Sequence, residues 1–303
     1  MIRWLLPIAL LPVPLLLNPY QQYVLNTVLL YVPVGIGFNL VVGNLGLLAF
    51  SNVAYFGLGA YTSGILMVAF GLPWWLTVIP AGLVGGIAGA IASIPALRGV
   101  RLFYLAIMTL AFGELMRWTY IRWETLTGGS MGMAVPTDTT DRSRFYLFLA
   151  LVTLIVFATD RGLRSRFGRA FLAIKDNEVA AAAMGIPTDR YIVLAFAWGG
   201  VLVGIGGAMF AISVGHLTPV SFDLSELVRQ FAMIMVGGLG SLTGAMIGAA
   251  MITVAPQVFI SFPGFEELVF GVLIVLVILF LPRGLASLLP RVSPVFIERY
   301  YRE

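Results

Sequence analysis

Residues able to do chemistry are few in this chain and are poorly placed for catalysis. The single histidine, His216, stands near Pro219 in GHLTPVSFDLSE, with no second imidazole and no thiol at ligand spacing. A solvated or loop-pinning role is expected of it rather than metal or proton chemistry. There are no cysteines, which removes thiolate metal sites and a cysteine nucleophile. Glu114 and Arg117 lie three apart in an apolar run, a spacing that favours mutual pairing on one helix face. Asp223, Glu226 and Arg229 also step by three and read as a snorkelling surface cluster. No G-x-x-x-x-G-K-[ST], HExxH or serine elbow occurs, so the chain cannot itself cradle ATP phosphates by the P-loop route and offers no hydrolytic centre. No metal and no cofactor are implied.

The elements that carry these groups belong in a bilayer. Of 303 residues, 60% are hydrophobic and 11% charged, and the mean hydropathy is +0.98, outside the range of ordinary soluble domains. About 20 apolar residues cross the hydrocarbon core as a helix. Counted that way, eight to ten spans are expected, at about 4–17, 22–42, 53–70, 74–94, 102–120, 145–159, 190–213, 228–246, 247–262 and 267–281. The opening MIRWLLPIALLPVPLLLNPY has the outline of a secretory signal but lacks a small-x-small cleavage site, so it is expected to be a retained first span. The fold class is an all-α polytopic membrane protein, one domain over 1–303 with interrupted helices.

Arginine supplies 17 of the 18 basic residues and Lys175 the other, so the net charge of +4 reflects topology rather than nucleic-acid binding. With ten spans and the opening stretch inside, 13 basic residues fall on the inner side and five (Arg117, Arg122, Arg142, Arg144, Arg229) outside, accounting for all 18. The expectation is therefore cytoplasmic termini, a cytoplasmic loop at 160–189 and an external loop at 121–144.

Glycine is abundant, with 34 residues, and many are spaced by four: Gly82 and Gly86, Gly85 and Gly89, Gly200 and Gly204, and Gly240, Gly244 and Gly248. Small residues at this spacing let membrane helices pack backbone to backbone, and packing within one bundle is the expected use. Two glycine-rich breaks look alike, GNLGLLAFSN from Gly43 and GGLGSLTG from Gly237. Broken helices at matching places can mark a substrate site. A short match in a glycine-rich chain is equally compatible with coincidence.

One stretch does not fit the pattern: SRFGRAFLAIKDNEVAAAAMG, residues 165–185, is charged and alanine-rich. Phe167, Phe171 and Ile174 fall at steps of four and three and make one apolar stripe. Asn177 can cap a second helix that presents Ala180 to Ala183, and Gly185 with Pro187 ends it. Two short helices outside the membrane are expected, offering a knob and a flat small-residue face. A surface amphipathic helix or a solvated connector is the plainer alternative.

Residue order says more. GRAFLAIKDNEVAAAAMGIP resembles the cytoplasmic loop of ABC importer permeases, in particular the branched-chain amino acid permeases of the LivM type. In the same order as that family come GLLAFSNVAYFGLGAYTSGIL (46–66), LRGVRLFYLAIMTLAFGEL (97–115), TGGSMGM (127–133), VGGLGSLTGAMIGAA (236–250) and LPRGLASLL (281–289). The match spans most of residues 35–289. The Glu-Ala-Ala opening of the general importer motif is absent: Val179 stands there, with the acid one place earlier at Glu178, as in the Liv branch.

The resemblance implies a transmembrane subunit with no enzymatic activity of its own, set in the lipid of a bacterial or archaeal plasma membrane. It implies two ATPase subunits, a second permease of the LivH type and an external substrate-binding protein as partners. It assigns ATPase coupling to Gly168, Arg169, Phe171, Ala173, Ile174, Lys175, Asp176, Asn177, Glu178, Ala181, Ala182 and Gly185. Within that set Arg169, Lys175, Asp176 and Glu178 are expected as rim charges, and Phe171, Ile174, Ala181 and Ala182 as the groove filling. For an amino acid with an apolar side chain, the path needs a few polar groups at a broken helix. Asn44, Ser51, Asn52 and Tyr55, with Thr109 behind them, are the candidates. The same residues could instead satisfy an interrupted backbone. Two other functions stay open at this point: a urea or short-chain amide permease, and an ion-coupled secondary transporter using Glu114.

Overall fold

A computed structural model describes residues 17–100, 102–137, 141–258, 271, 279 and 284–288. The expected first span (4–17) and last span (267–281) lie outside the described residues, save positions 17, 271 and 279, as do both termini.

The chain opens on α1 (Pro19–Asn39), started by a capping box between Asn18 and Gln21 with proline in its first turn. A π-helical turn, Leu40–Asn44, continues it and then unwinds. Residues 45–51 are non-helical, and α2 (Asn52–Phe70) restarts the helix. After α3 (Trp74–Ala92) and a short α4 (Ile94–Leu97) comes α5 (Leu102–Arg122), then a single turn, α6 (Glu124–Thr127). A two-residue strand β1 (Met133–Ala134) precedes α7 (Asp141–Leu163). Two short helices follow, α8 (Arg166–Asp176) and α9 (Glu178–Ala183), and then the longest, α10 (Thr188–Val214). After these come β2 (His216–Leu217), α11 (Leu224–Gly237), α12 (Leu242–Val258) and a 3-10 turn at Leu285–Leu288.

Among the described residues five stretches are long and apolar enough to cross a membrane: Pro19–Asn44, Asn52–Phe70, Trp74–Leu97, Arg142–Leu163 and Thr188–Val214. The 21 residues of α5 match them in length. An all-α polytopic membrane fold follows. One expected span is corrected. Residues 228–246 are not one helix, because Gly238 and Gly240 take positive φ (119° and 81°), which ends α11 at Gly237 and lets α12 start afresh at Leu242.

The bundle is built around α10, which packs on α1, α2 and α3. Its glycines make this possible: a Cβ on Gly200 would lie 2.2 Å from the Gly85 carbonyl oxygen. The spaced glycines thus serve packing inside the chain, as expected. Gly200→Leu is expected to cost about 3 kcal/mol through overpacking, read as a lowered Tm of the purified protein in detergent.

The two ends of α10 are dressed differently. At its C-terminal end β2 pairs antiparallel with β1, Met133 opposite Leu217, and His216 Nε2 lies 3.0 Å from the Met131 carbonyl oxygen. The lone histidine therefore pins two loops together. At its N-terminal end sit α8 and α9.

Candidate functional site

The two short helices form where the sequence places them. Ser165 caps α8 by accepting from the Phe167 N–H, and Asn177 caps α9 by accepting from the Ala180 N–H. Gly185, at φ +84°, closes α9 in a Schellman arrangement: its N–H donates to the Ala182 carbonyl, and the Ile186 N–H to that of Ala181. Gly168 lets α8 fold back on α7, since a Cβ there would sit 1.9 Å from the Leu163 carbonyl oxygen.

The direction these helices face revises the expected division of labour. Phe171, Ile174 and Ala181 are buried within the chain, with Phe167 and Phe171 edge-on to Tyr191 of α10 at 6.2 and 6.3 Å. The apolar stripe therefore seats the helix pair on its own bundle and cannot fill a partner's groove. What points outward is Val179, 80% exposed, and Met184, 85% exposed, together with Ala182, Arg169 and Asp176. Two large apolar side chains are thus held in the open beside the exposed charges Arg169 and Asp176.

Lys175 is exposed, as a rim charge would be, and it also bonds its own bundle. Its Nζ donates to the Gly43 carbonyl oxygen at 2.8 Å, reaching the unwound end of α1. There the two glycine-rich breaks meet. Asn39 Oδ1 accepts from the Gly240 N–H at 2.9 Å, and Asn39 Nδ2 donates to the Ser241 carbonyl at 2.9 Å. Asn44 Nδ2 donates to the Gly240 carbonyl at 3.2 Å. These amides replace the backbone partners that the broken helices lost, which lipid could not supply.

The expected pathway residues divide into two groups. Asn44 belongs to the junction just described. Thr109 Oγ1 accepts from the Phe50 N–H at 2.7 Å and donates back to the Leu105 carbonyl, so it too serves the irregular backbone. Ser51, Asn52 and Tyr55 lie at the restart of α2. The Ser51 and Tyr55 hydroxyls are 2.6 Å apart, and Asn52 Nδ2 donates to Gln230 Oε1 at 2.7 Å. All three are buried, as is Gln230.

Gln230 extends the chain of contacts. Its Nε2 donates to Glu226 Oε1 at 2.9 Å, and Glu226 Oε2 accepts from the Tyr31 hydroxyl at 3.3 Å. The Arg229 guanidinium lies over the Tyr31 ring, 5.1 Å from its centroid, and Asp223 caps α11 by accepting from the Ser225 and Glu226 N–H groups. Of the expected surface cluster, all three half-buried, Glu226 turns inward and joins a polar track running from Tyr31 through Gln230 to Asn52. Sequence reading missed Gln230 and Asn39. Both are amides inside apolar helical runs, and that cost in lipid is the signal that could have found them. Glu114 does pair with Arg117, at 2.8 Å.

Comparison with known proteins agrees with this architecture. Residues 21–281 match the family described as branched-chain amino acid transport system, permease component. The chain is 31% identical over 297 residues to the high-affinity branched-chain amino acid transport system permease protein LivM of Escherichia coli, covering 88% of this chain and 69% of that one. The LivM protein of Salmonella typhimurium matches to the same extent. The corresponding LivH protein of Escherichia coli is 26% identical over 302 residues, covering 88% and 95%. No solved structure matches.

Proposed function

The chain belongs to the family of permease components of branched-chain amino acid transport systems, and from that premise we propose that it is a membrane subunit of an ATP-driven importer for branched-chain or other small amino acids. In this reading residues 1–303 form one permease domain in a bacterial or archaeal plasma membrane, with both termini, and the loop at 160–189, in the cytoplasm. The loop at 121–144 faces outward. Its partners are two ATPase subunits, a second permease of the LivH type and an external binding protein, and ATP is hydrolysed only by the partners.

The observation that carries the reading is the α8–α9 pair: seated by its buried stripe, capped at both ends, and showing Val179 and Met184 to a partner. Nucleotide binding closes the ATPase pair, the closing subunits displace α8 and α9, and the bundle moves between two access states. Substrate passes Ser51, Asn52 and Tyr55, whose polar atoms, with Gln230 and Glu226, offer partners to an ammonium and a carboxylate between otherwise apolar walls. Family membership favours this reading over a urea or amide permease. Glu114, the carboxylate expected for ion coupling, is paired with Arg117 instead.

The test is reconstitution. Proteoliposomes holding this chain, its co-expressed permease, ATPases and binding protein are expected to accumulate labelled leucine or valine only with ATP on the ATPase side. Uptake of urea alone, or uptake by the isolated chain on an ion gradient, would overturn the assignment. In the same assay Gln230→Leu, which strands the buried Asn52 amide, is expected to lower uptake by about tenfold, the equivalent of the 1–3 kcal/mol of an orphaned polar group.

A further inference from the structure

Lys175, the only lysine in the chain, joins α8 to a break far away in the sequence. It occupies the last turn of α8. Its ammonium bonds the Gly43 carbonyl, which belongs to the π turn where α1 unwinds. Helix C-terminal carbonyls lack intrahelical donors and carry the negative end of the dipole, so a cation there is stabilising. The stem is fitted as well as the head. Gly46 lies flat against it, and a Cβ at Gly46 would meet Lys175 Cγ at 2.8 Å. Gly240, at the second break, lies against the same carbonyl: a Cβ built on it would come within 3.2 Å of the Gly43 oxygen. Gly240 is in turn held by Asn39 and Asn44.

One charge on a helix outside the bundle thus bonds the end of one broken helix at the place where a second meets it. The ring contacts of Phe167 and Phe171 with Tyr191 are apolar and tolerate sliding, whereas an ammonium on a carbonyl is directional and releasable. We propose that Lys175 is a positioning residue acting as a latch: seated on Gly43 it holds the junction of the two breaks, and displacement of α8 withdraws the charge and frees the junction to rearrange. The proposal rests on the reading that α8 and α9 receive movement from an ATPase. It assigns contact to the outward Val179 and Met184, and transmission to Lys175 through its bond to Gly43.

The complete reconstituted importer tests it. Lys175→Met is expected to leave ATPase co-purification and ATP hydrolysis within about twofold of the parent, and to lower amino acid taken up per ATP by about tenfold or more, the size of a typical coupling term. Lys175→Arg, which keeps a cation, is expected to recover most of the ratio. Because the chain has no cysteine, Lys175→Cys can be alkylated with bromoethylamine to rebuild an ammonium on a stem of lysine length, or with bromoethanol to give a neutral control. The identically treated Lys175→Met complex accounts for thiols on partner chains. Recovery with the amine alone supports the latch, because a merely structural stem would be restored by either reagent. Normal coupling in Lys175→Met, or equal recovery with both reagents, would overturn it. Loss of the ATPase from Lys175→Met would make the residue a contact and end the latch while leaving the docking reading intact. If the parent complex itself neither binds ATPase nor takes up substrate with ATP, the docking reading fails and the latch with it.

Discussion

Replacing Gly43 by alanine is expected to abolish transport and to destabilise the protein by about 3 kcal/mol or more. The added methyl would lie 2.1 Å from Asn39 Oδ1 and 2.3 Å from the Gly240 nitrogen, squarely between a donor and an acceptor that are now 2.9 Å apart. It cannot be accommodated by rotating a flexible side chain, because one neighbour is backbone and the other is held at both ends: Asn39 is also tied to the Ser241 carbonyl. Breaking this contact leaves the Gly240 N–H and the Asn39 amide unsatisfied in a buried place, and each orphaned group costs about 1–3 kcal/mol. The check is thermal unfolding of the purified protein alongside uptake in proteoliposomes. Gly71→Ala is the comparison: Gly71 has positive φ (62°), unlike Gly43, but nothing lies within 4 Å of its added Cβ. That variant is expected to lose only about 1 kcal/mol from backbone strain and to keep transport.

The second large effect belongs to the outward face of α9. The pair Val179→Asp and Met184→Asp is expected to leave the Tm of the isolated chain nearly unchanged, since substitutions on exposed surface usually fall within about 0.5 kcal/mol. Association with the ATPase is a different matter. Apolar anchors at the centre of an interface are worth about 2 kcal/mol each when lost, and two buried carboxylates add a desolvation penalty. Together they are expected to weaken binding by about a thousandfold, enough to remove the ATPase from an affinity-purified complex. Val220→Asp, an equally open apolar residue at the other end of α10, is the control and should retain the ATPase. Retention of the ATPase by the double variant would show that α9 is not the contact.

Much of this site is legible in the sequence, and what is not shares one cause. The caps at Asn177 and Gly185, the stripe of α8, the Glu114 and Arg117 pair and the two glycine-rich breaks depend on residues within a few positions of one another. Local spacing encodes such features directly. Periodicity identifies a face of a helix but not what that face meets. The stripe carrying Phe171 was therefore expected to point toward a partner, yet it packs on Tyr191 of the same chain. Asn39 and Ser241 are 202 positions apart, and Asn52 and Gln230 are 178 apart. No spacing rule reaches across such distances. The expected span 228–246 failed for a different reason: averaged hydropathy passes smoothly through glycine, whereas the backbone at Gly238 and Gly240 does not.

The central claim is that the surface around Met184 lies in the cytoplasm and meets a nucleotide-hydrolysing subunit there. With no native cysteine in the chain, Met184→Cys places a single thiol on that surface for labelling with a membrane-impermeant maleimide. The account predicts labelling in inside-out vesicles stripped of ATPase, protection when the ATPase is added back, and none in intact cells. Labelling from outside the cell, or labelling inside that the ATPase does not block, would contradict it.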